Sequence, residues 1–338
     1  MFLESMENTY MSAELGGAYP ANLLPELTAL AEENISFSNT ELYGGAKQIT
    51  GTGWTAAAMV NQHMGIPLLI PIDGNSYGNS NAFLPGGYAL GDILKDEGYN
   101  QMLMVGSDAT FGGRRFLYEQ HGDYEIKDYG TAAADGIIEE GYRVWWGFED
   151  TRLFAYAKQE ILKCAAQDEP FNFTMLTADT HHVGGYVCEL CKNDFPEQYA
   201  NVIACSDRQV AAFVAWIRQQ DFYENTTIVI VGDHLSMDSG FFTEFGMDPD
   251  YERTTLNIII NPAVAADPAT TKNRQFATFD LFPTTLAALG ATWEGDRLNL
   301  GTNLFSGAHT LVEEFGFENV DDELKQKSDF YTDALLSD

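Results

Sequence analysis

Residues 228–234 read Ile-Val-Ile-Val-Gly-Asp-His, and this stretch decides the class of fold. A short apolar run that ends directly in polar residues is typical of a strand in a mostly parallel sheet covered by helices on both faces. Other apolar runs have the same form, and Met1-Phe2-Leu3 reads as the end of one more strand. We predict strands at Ile35–Ser38, Gln101–Val105, Phe171–Leu176, Thr227–Val231 and Leu256–Ile260.

Segments with a helical period lie between these runs, which predicts an α/β fold with a mostly parallel central sheet. We predict helices at 22–33, capped by Asn22, at 88–97, ended by Gly98, and at 201–219. Two stretches rich in Gly, Pro or Asn, Pro71–Gly87 and Leu235–Tyr251, are predicted to be loops. Long loops in a compact domain are either functional lids or surface excursions, and both alternatives stay open.

The composition describes an acidic globular chain. Its 338 residues include 50 acidic and 18 basic side chains, a net charge of -32, and 45% are hydrophobic, which is enough to form a core. This charge repels nucleic acid and anionic lipid, so neither is an expected partner. We expect one main catalytic domain over residues 1–309 and an acidic, solvated helical segment or tail over 310–338. Because the chain begins on the last residues of a strand, we expect a longer natural protein with a membrane anchor upstream.

Polar residues follow three of the apolar runs at the point where each run ends. Glu4 follows Met1-Phe2-Leu3, Asp179-Thr180-His181-His182 follow the run ending at Leu176, and Asp233-His234 follow Gly232. The carboxyl ends of parallel strands meet at one edge of a sheet, where ligands bind. Carboxylates and an imidazole gathered there would suit a divalent cation, whereas for each residue taken singly a helix cap or a structural pair is the favoured interpretation.

A helix start provides a candidate nucleophile. Residues 51–59, Gly-Thr-Gly-Trp-Thr-Ala-Ala-Ala-Met, place Thr55 at or near the N-terminus of a strong helix, where free N–H groups favour an anion. A metal that lowers the pKa of its hydroxyl would make Thr55 a nucleophile. The alternative is that Thr52 or Thr55 only caps the helix. The stretch lacks the Gly-Lys-Ser/Thr ending of a P-loop.

The four motifs occur in an order that resembles a known family. Residues 3–7, 51–55, 179–182 and 232–234 together resemble the soluble catalytic domain of phosphoglycerol transferases of the lipoteichoic-acid synthase and MdoB (OpgB) type, in the alkaline phosphatase and sulfatase superfamily. The resemblance implies an alkaline-phosphatase-like α/β/α sandwich. It also implies one divalent cation, with Mn favoured over Mg or Zn, held by Glu4, Thr55, Asp233 and His234.

The same resemblance assigns roles around the cation. Thr55 is the implied nucleophile, His181 the contact to the substrate phosphate, and Arg114 the arginine that binds phosphoglycerol. The adjacent His182 leaves the histidine register open and is a second substrate-binding candidate. An exposed salt bridge is the alternative for Arg114. A second metal site formed by Asp179, His182 and His309 is a less favoured alternative.

The chain departs from the lipoteichoic-acid synthases near that arginine. Gly112 and Gly113 stand where those enzymes carry Trp and Asn, so we expect a wider pocket in which Trp54 supplies an aromatic wall. Trp145 and Trp146 are candidates for binding a glycan acceptor, although core or lid packing is the commoner use of such a cluster. Sulfatase chemistry is disfavoured, because the formylglycine precursor pattern Cys-x-Pro/Ala-x-Arg is missing from the sequence.

The resulting prediction is a metal-dependent phosphoglycerol transferase with a phosphoglycerol-threonine intermediate. The expected donor is a glycerophospholipid or a phosphoglycerylated glucan, the acceptor a glycan or glycolipid, and the location the extracytoplasmic face of a bacterial membrane. A phosphodiesterase and a non-catalytic binding domain are the alternatives. The Cys188-x-x-Cys191 spacing is a weak signal for zinc or redox chemistry, and a local bridge or free thiols are favoured for it.

Overall fold

A six-stranded sheet forms the centre of the protein, and the computed structural model describes residues 1–69 and 82–336 of it. The strand order is β3-β2-β4-β1-β5-β6, with β6 antiparallel to β5 and the other neighbours parallel. A small antiparallel pair, β7 and β8, lies outside this sheet. The strands are β1 Phe2–Leu3, β2 Asn100–Val105, β3 Glu125–Lys127, β4 Phe171–Leu176, β5 Ile228–Gly232, β6 Asn257–Ile260, β7 Arg297–Leu298 and β8 Gly301–Thr302.

Helices cover both faces of the sheet. Successive side chains of a strand point to opposite faces, and accordingly Leu3 lies in a core with α1, α6 and α7, whereas Phe2 lies in a second core with α2, α4 and α9. The predicted α/β/α sandwich is therefore confirmed. The helices are α1 Pro25–Glu33, α2 Thr55–Met64, α3 Leu90–Asp96, α4 Arg114–Gln120, α5 Tyr129–Ala134, α6 Asp150–Ala165, α7 Gln198–Ile217, α8 Ser239–Glu244, α9 Leu281–Ala288, α10 Leu311–Phe315 and α11 Phe317–Leu324.

One predicted strand, Ile35–Ser38, does not form. Ile35 makes a single antiparallel bridge to Ile259. Beyond it, the side chain of Asn257 accepts a hydrogen bond from the Phe37 N–H at 2.9 Å and donates one to the Phe37 carbonyl at 2.8 Å. The side-chain amide of Asn257 thus takes the place of the next backbone hydrogen bonds between the two segments and ends their pairing. The predicted strands at 101–105, 171–176, 227–231 and 256–260 correspond to β2, β4, β5 and β6, while the three-residue β3 was not predicted.

The predicted cap of α1 is wrong. The helix begins at Pro25, and the Asn22 side chain instead accepts from the Leu24 N–H in the preceding turn at 3.0 Å. The free N–H groups of Glu26 and Leu27 donate to the carboxylate of Asp207 on α7, at 3.1 and 2.8 Å. The cap is therefore supplied across a helix–helix contact. The helices predicted at 88–97 and 201–219 correspond to α3 and α7.

The acidic C-terminal segment is helical, and Glu314, Asp322 and Glu323 are exposed as predicted, whereas Glu313 and Asp321 are half-buried, so the prediction of solvated acidic pairs is wrong for these two. Val312 and Val320 are buried in a small core with residues that precede them in the chain. Glu313 receives hydrogen bonds from Nε of Arg274 at 2.7 Å and Nη2 at 3.1 Å, and Asp321 accepts one from the Thr50 N–H at 2.8 Å. One face of the segment thus packs inward, because its apolar residues share the helical face that carries these carboxylates.

The two predicted loops have different outcomes. Residues 71–81 of the first lie outside the described residues. The second contains α8, whose Phe241 and Phe242 are buried, so that prediction is wrong for 239–244. No helix in residues 1–69 or 82–336 is long and apolar enough to cross a membrane.

Candidate active site

Four predicted residues meet at the carboxyl edge of the sheet. β1 and β5 are neighbours, so Glu4 and the pair Asp233-His234 leave the sheet side by side. Thr55 opens α2 beside them: its Oγ1 lies 3.3 Å from Oε2 of Glu4 and 3.4 Å from Nε2 of His234. Nε2 of His234 is in turn 3.5 Å from a carboxylate oxygen of Glu4 and 3.5 Å from one of Asp233. Residues far apart in the chain thus form one compact cluster.

A tight turn after β1 holds the two carboxylates in place. Ser5 has a positive φ of 52°, and its N–H donates to Oδ1 of Asp233 at 2.7 Å while its hydroxyl donates to Oε1 of Glu4 at 2.8 Å. Gly232 makes the close approach possible, since a Cβ there would lie 1.8 Å from the carbonyl oxygen of Met6. The sequence signal for this role was only the position of Ser5 directly after Glu4, and it was missed.

The orientation of the cluster fits a cation. Nδ1 of His234 lies 2.9 Å from the Leu235 carbonyl, to which it donates, so the lone pair of Nε2 faces Glu4 and Thr55. Oδ2 of Asp233 is buried and has no hydrogen-bond partner among the described residues. Ligand atoms of Glu4, Asp233 and His234 all lie within 4.8 Å of one another. A buried carboxylate oxygen without a donor, next to an imidazole lone pair that faces carboxylate oxygens, is costly unless a positive charge lies between them.

Burial dominates the electrostatics of this cluster. Glu4, Asp233 and His234 are 2%, 0% and 1% exposed. Burial, and then the charge of Glu4, raise the pKa of Asp233 to about 8. Burial opposes ionisation of Glu4 as well, but His234 and His181 outweigh it and bring the pKa of Glu4 below its ordinary value. Burial likewise lowers the pKa of His234, and the two carboxylates more than reverse that effect.

Thr55 is not used as a helix cap. The residue at the cap position of α2 is Trp54, and no side chain accepts a hydrogen bond there. Thr52 is occupied elsewhere, because its hydroxyl accepts from the Ile49 N–H at 3.0 Å and donates to the Ile49 carbonyl at 2.7 Å. The hydroxyl of Thr55 therefore faces the carboxylate and imidazole, and the capping alternative does not describe either threonine.

A cleft of about 150 Å³ opens over the cluster and is lined by Glu4, Thr55, His234 and Arg114. Arg114 is 5% exposed and is held by donation from Nε to the Phe111 carbonyl at 3.0 Å and from Nη2 to the Asp108 carbonyl at 2.7 Å and Oγ of Ser107 at 3.1 Å. It makes no ion pair with a described carboxylate, so the exposed salt bridge is the wrong reading. The neighbouring Arg115 has that role, with Asp128 at 2.7 Å.

Aromatic side chains form one wall of the cleft. A Cβ added at Gly112 would lie 3.3 Å from Cζ3 of Trp54, so the glycine leaves room for the indole of Trp54 to reach the cleft. Trp146 is 39% exposed and its ring centre lies 4.6 Å from that of His181. The ring centre of Phe111 lies 6.0 Å from that of Trp146. Trp146 therefore lines the cleft, whereas sequence alone also allowed it to be core packing.

Both candidate histidines border the cleft. His181 and His182 stack with ring centres 4.3 Å apart, and Nδ1 of His181 lies 2.7 Å from the His182 carbonyl. Burial, and then His181, lower the pKa of His182, whose Nδ1 is buried without a described partner. Both rings therefore lie at the cleft, and His181 is the one that packs against Trp146.

The residues of the alternative second metal site are not brought together. Asp179 instead faces Asp150, which accepts hydrogen bonds from the Ala178 and Asp179 N–H groups at 2.8 and 3.0 Å. Burial is the main cause that raises the pKa of Asp150 to about 7 and that of Asp179 to about 10. His309 is exposed. Among the described residues, no group of three potential ligands includes Asp179, His182 or His309.

A larger cavity, of about 900 Å³, lies elsewhere. It opens at the amino-terminal ends of β4 and β5, beside Phe171 and Thr227. The carboxyl edge, with its nucleophile and ligand candidates, is therefore the chemically equipped end of the sheet. Other site residues that sequence reasoning missed include Ser107 and Met237, which line the cleft and carry no motif.

The fold is that of the alkaline phosphatase superfamily. A Vibrio parahaemolyticus protein of that superfamily aligns with a TM-score of 0.63 and 19% identity, over 86% of this chain and 65% of that one. The lipoteichoic acid synthase LtaP from Listeria monocytogenes aligns with a TM-score of 0.67 and 16% identity, over 90% and 74% of the two chains.

The chain belongs to the sulfatase family, which matches residues 2–291. It is 34% identical over 243 residues to phosphoglycerol transferase I of Escherichia coli strain 55989, an alignment that covers 70% of this chain and 30% of that protein. The chain thus spans about 30% of the length of the curated relatives it matches. The Streptococcus pyogenes phosphoglycerol transferase GacH, solved in complex with sn-glycerol-1-phosphate, aligns at 14% identity with a TM-score of 0.53, over 86% and 74% of the two chains.

Proposed function

We propose that this chain is the catalytic domain of a metal-dependent phosphoglycerol transferase that forms a phosphoglycerol-threonine intermediate on Thr55. The observation that carries the proposal is the hydroxyl of Thr55 at the head of α2, 3.3 Å from Glu4 and 3.4 Å from His234, in a cleft shared with Arg114 and His181. The 34% identity to a phosphoglycerol transferase supports the choice of transferred group.

Glu4, Thr55, Asp233 and His234 would hold one divalent cation, which when bound would lower the pKa of the Thr55 hydroxyl and neutralise charge on the phosphoryl group. Carboxylate and hydroxyl oxygens with a single imidazole suit Mn best, with Mg or Zn as alternatives. The unpartnered Oδ2 of Asp233 supports this assignment.

In the first half of the reaction, Oγ1 of Thr55 attacks the phosphorus of the donor. An O–P bond forms to Thr55 as the bond from phosphorus to the donor alcohol breaks. The hydroxyl proton is released to solvent, and the departing alcohol takes up a proton from the imidazole of His181. Arg114 and the N–H groups at the start of α2 stabilise the nonbridging oxygens.

In the second half, an acceptor hydroxyl attacks the intermediate from the opposite side. As its O–P bond forms, the bond from phosphorus to Oγ1 of Thr55 breaks. The proton of the acceptor hydroxyl passes to the imidazole of His181, which gave up its proton in the first half, and Oγ1 of Thr55 takes up a proton from solvent. We propose a glycan or glycolipid acceptor, because Trp54 and Trp146 offer aromatic faces beside His182 in the cleft. The donor is a glycerophospholipid or a phosphoglycerylated glucan.

We propose that the reaction takes place at the extracytoplasmic face of a bacterial membrane, with membrane attachment supplied by residues outside 1–338. Two aligned solved proteins support this location: the E. coli EptC structure is a periplasmic domain, and LtaP is a lipoteichoic acid synthase. The charge of -32 supports a partner other than nucleic acid.

The test is intact-mass spectrometry after incubation with phosphatidylglycerol and MnCl₂. We expect an added phosphoglycerol group on Thr55, no adduct on Thr55→Ala, and an adduct on Thr55→Ser, which keeps a hydroxyl. An unmodified wild-type chain that also fails to cleave a nitrophenyl phosphodiester would refute the transferase and favour a non-catalytic binding domain. Accumulation of free glycerol phosphate with no glycan product would assign a phosphodiesterase instead.

A further inference from the structure

Three cysteine sulfurs form a second cluster, away from the cleft. Sγ of Cys188 lies 3.6 Å from Sγ of Cys191 and 3.7 Å from Sγ of Cys205, and all three lie within 4.8 Å of one another. Cys188 and Cys191 belong to the loop that follows β4, whereas Cys205 is on α7. The sequence showed only the Cys-x-x-Cys half of this cluster, because Cys205 joins it through the fold.

The spacing matches the coordination shell of zinc. Zinc–sulfur bonds of about 2.3 Å in a tetrahedral arrangement place neighbouring sulfurs about 3.8 Å apart. We propose that Cys188, Cys191 and Cys205 bind one zinc ion through their three sulfurs, with the fourth position open to water. Three S–Zn bonds form as three thiol protons are released to solvent.

A second residue layer supports the sulfurs. Nε2 of Gln209 lies 3.7 Å from Sγ of Cys188 and 3.6 Å from Sγ of Cys205, and its Oε1 accepts from the Thr151 hydroxyl at 3.1 Å. An amide fixed in this way donates to two sulfurs, which stabilises thiolate charge. Cys191 is half-buried, which leaves solvent access for a fourth ligand.

The number of thiols favours a metal over a disulfide. A disulfide would use two sulfurs and leave the third beside it, whereas zinc uses all three. The ion would join the loop to α7, and the same loop carries His181 and His182, which line the cleft. Zinc therefore has a structural role here: it fixes the far end of the segment that carries the substrate-binding histidines.

The test is cobalt and zinc binding by the full chain, reduced and freed of metal. We expect one equivalent of cobalt to give sulfur-to-cobalt charge-transfer absorption, and zinc to displace it. The cation site at Glu4 and Asp233 has no sulfur ligand, so Asp233→Asn should leave this absorption unchanged. The proposed function and the zinc site can therefore fail independently.

Variants sharpen the assignment. Cys191→Ser and Cys205→Ser should lose the charge-transfer absorption and weaken zinc binding at least tenfold, whereas Cys164→Ser, at a buried cysteine outside the cluster, should retain both. The wild-type measurement does not depend on the folding of any variant. Reduced wild-type protein without the absorption would overturn the proposal. A second result would also overturn it. Protein isolated without reductant would be two hydrogens lighter, as expected for a disulfide, and would bind no zinc either before or after reduction.

Discussion

Replacing Arg114 tests whether the cleft binds a phosphoryl group through a fixed guanidinium. Arg114 lines the cleft, while the adjacent Arg115 pairs with Glu119 and Asp128. Loss of one preorganised donor to transition-state charge lowers kcat by about 10²–10³-fold. We therefore expect a loss of that size in kcat/KM for Arg114→Ala, a smaller loss for Arg114→Lys, which keeps the charge, and little change for Arg115→Ala.

The stability cost of Arg114→Ala follows from its hydrogen bonds. The change leaves the carbonyls of Phe111 and Asp108 without their donors, and each unsatisfied buried group costs about 1–3 kcal/mol. With water entering from the cleft, we expect a total of about 2–4 kcal/mol, measured by urea unfolding. Activity is measured with a nitrophenyl phosphodiester on folded protein at low temperature. Equal fractional losses of kcat/KM in Arg114→Ala and Arg115→Ala would refute a phosphoryl-binding role.

Three further predictions concern the cation, a histidine and a helix cap. MnCl₂ at about 100 times its Kd should stabilise the wild-type chain by about 2.7 kcal/mol, or about 4 °C in Tm, and EDTA should reverse this; Asp233→Asn should show no such shift. The pKa of His121 is raised, since hydrogen bonds to Asp92 and to the Phe83 carbonyl outweigh burial. The folded state therefore holds this proton more tightly than the unfolded chain, and the stabilisation is present below pH about 6.5 and lost as the pH rises through the folded pKa. The difference in unfolding free energy between wild type and His121→Gln should therefore decrease as the pH rises through the folded pKa of His121. A difference that stays constant over this pH range would contradict the stabilising role of the protonated histidine. Asp207→Ala should cost about 1–2 kcal/mol in urea unfolding, because two N–H groups of α1 lose their acceptor, whereas Asp207→Asn keeps one and should cost less; equal costs would contradict the capping role.

The sequence alone determined the fold class and the edge at which the site forms. An apolar run such as 228–232, bounded by polar residues, indicates a buried strand, because its side chains need cover on both faces of a sheet. Polar residues directly after parallel strands lie at a common edge of the sheet. The sequence therefore predicted that Glu4 and His234 lie close together. The helix start at Thr55 was readable for a similar reason, since Gly53 and the following alanines act locally.

Only the tertiary structure decided which side chains turn toward one another. Arg114 and Arg115 are equivalent in a sequence, and the turn at Gly112 and Gly113, both with positive φ, directs one into the cleft and the other toward Asp128. The cap of α1 likewise depends on α7, which lies far from α1 in the chain, and Cys205 of α7 meets Cys188 and Cys191 only through the way α7 packs against their loop. Such contacts are set by the packing of whole elements, and a local pattern of residues carries no information about its partner across that packing.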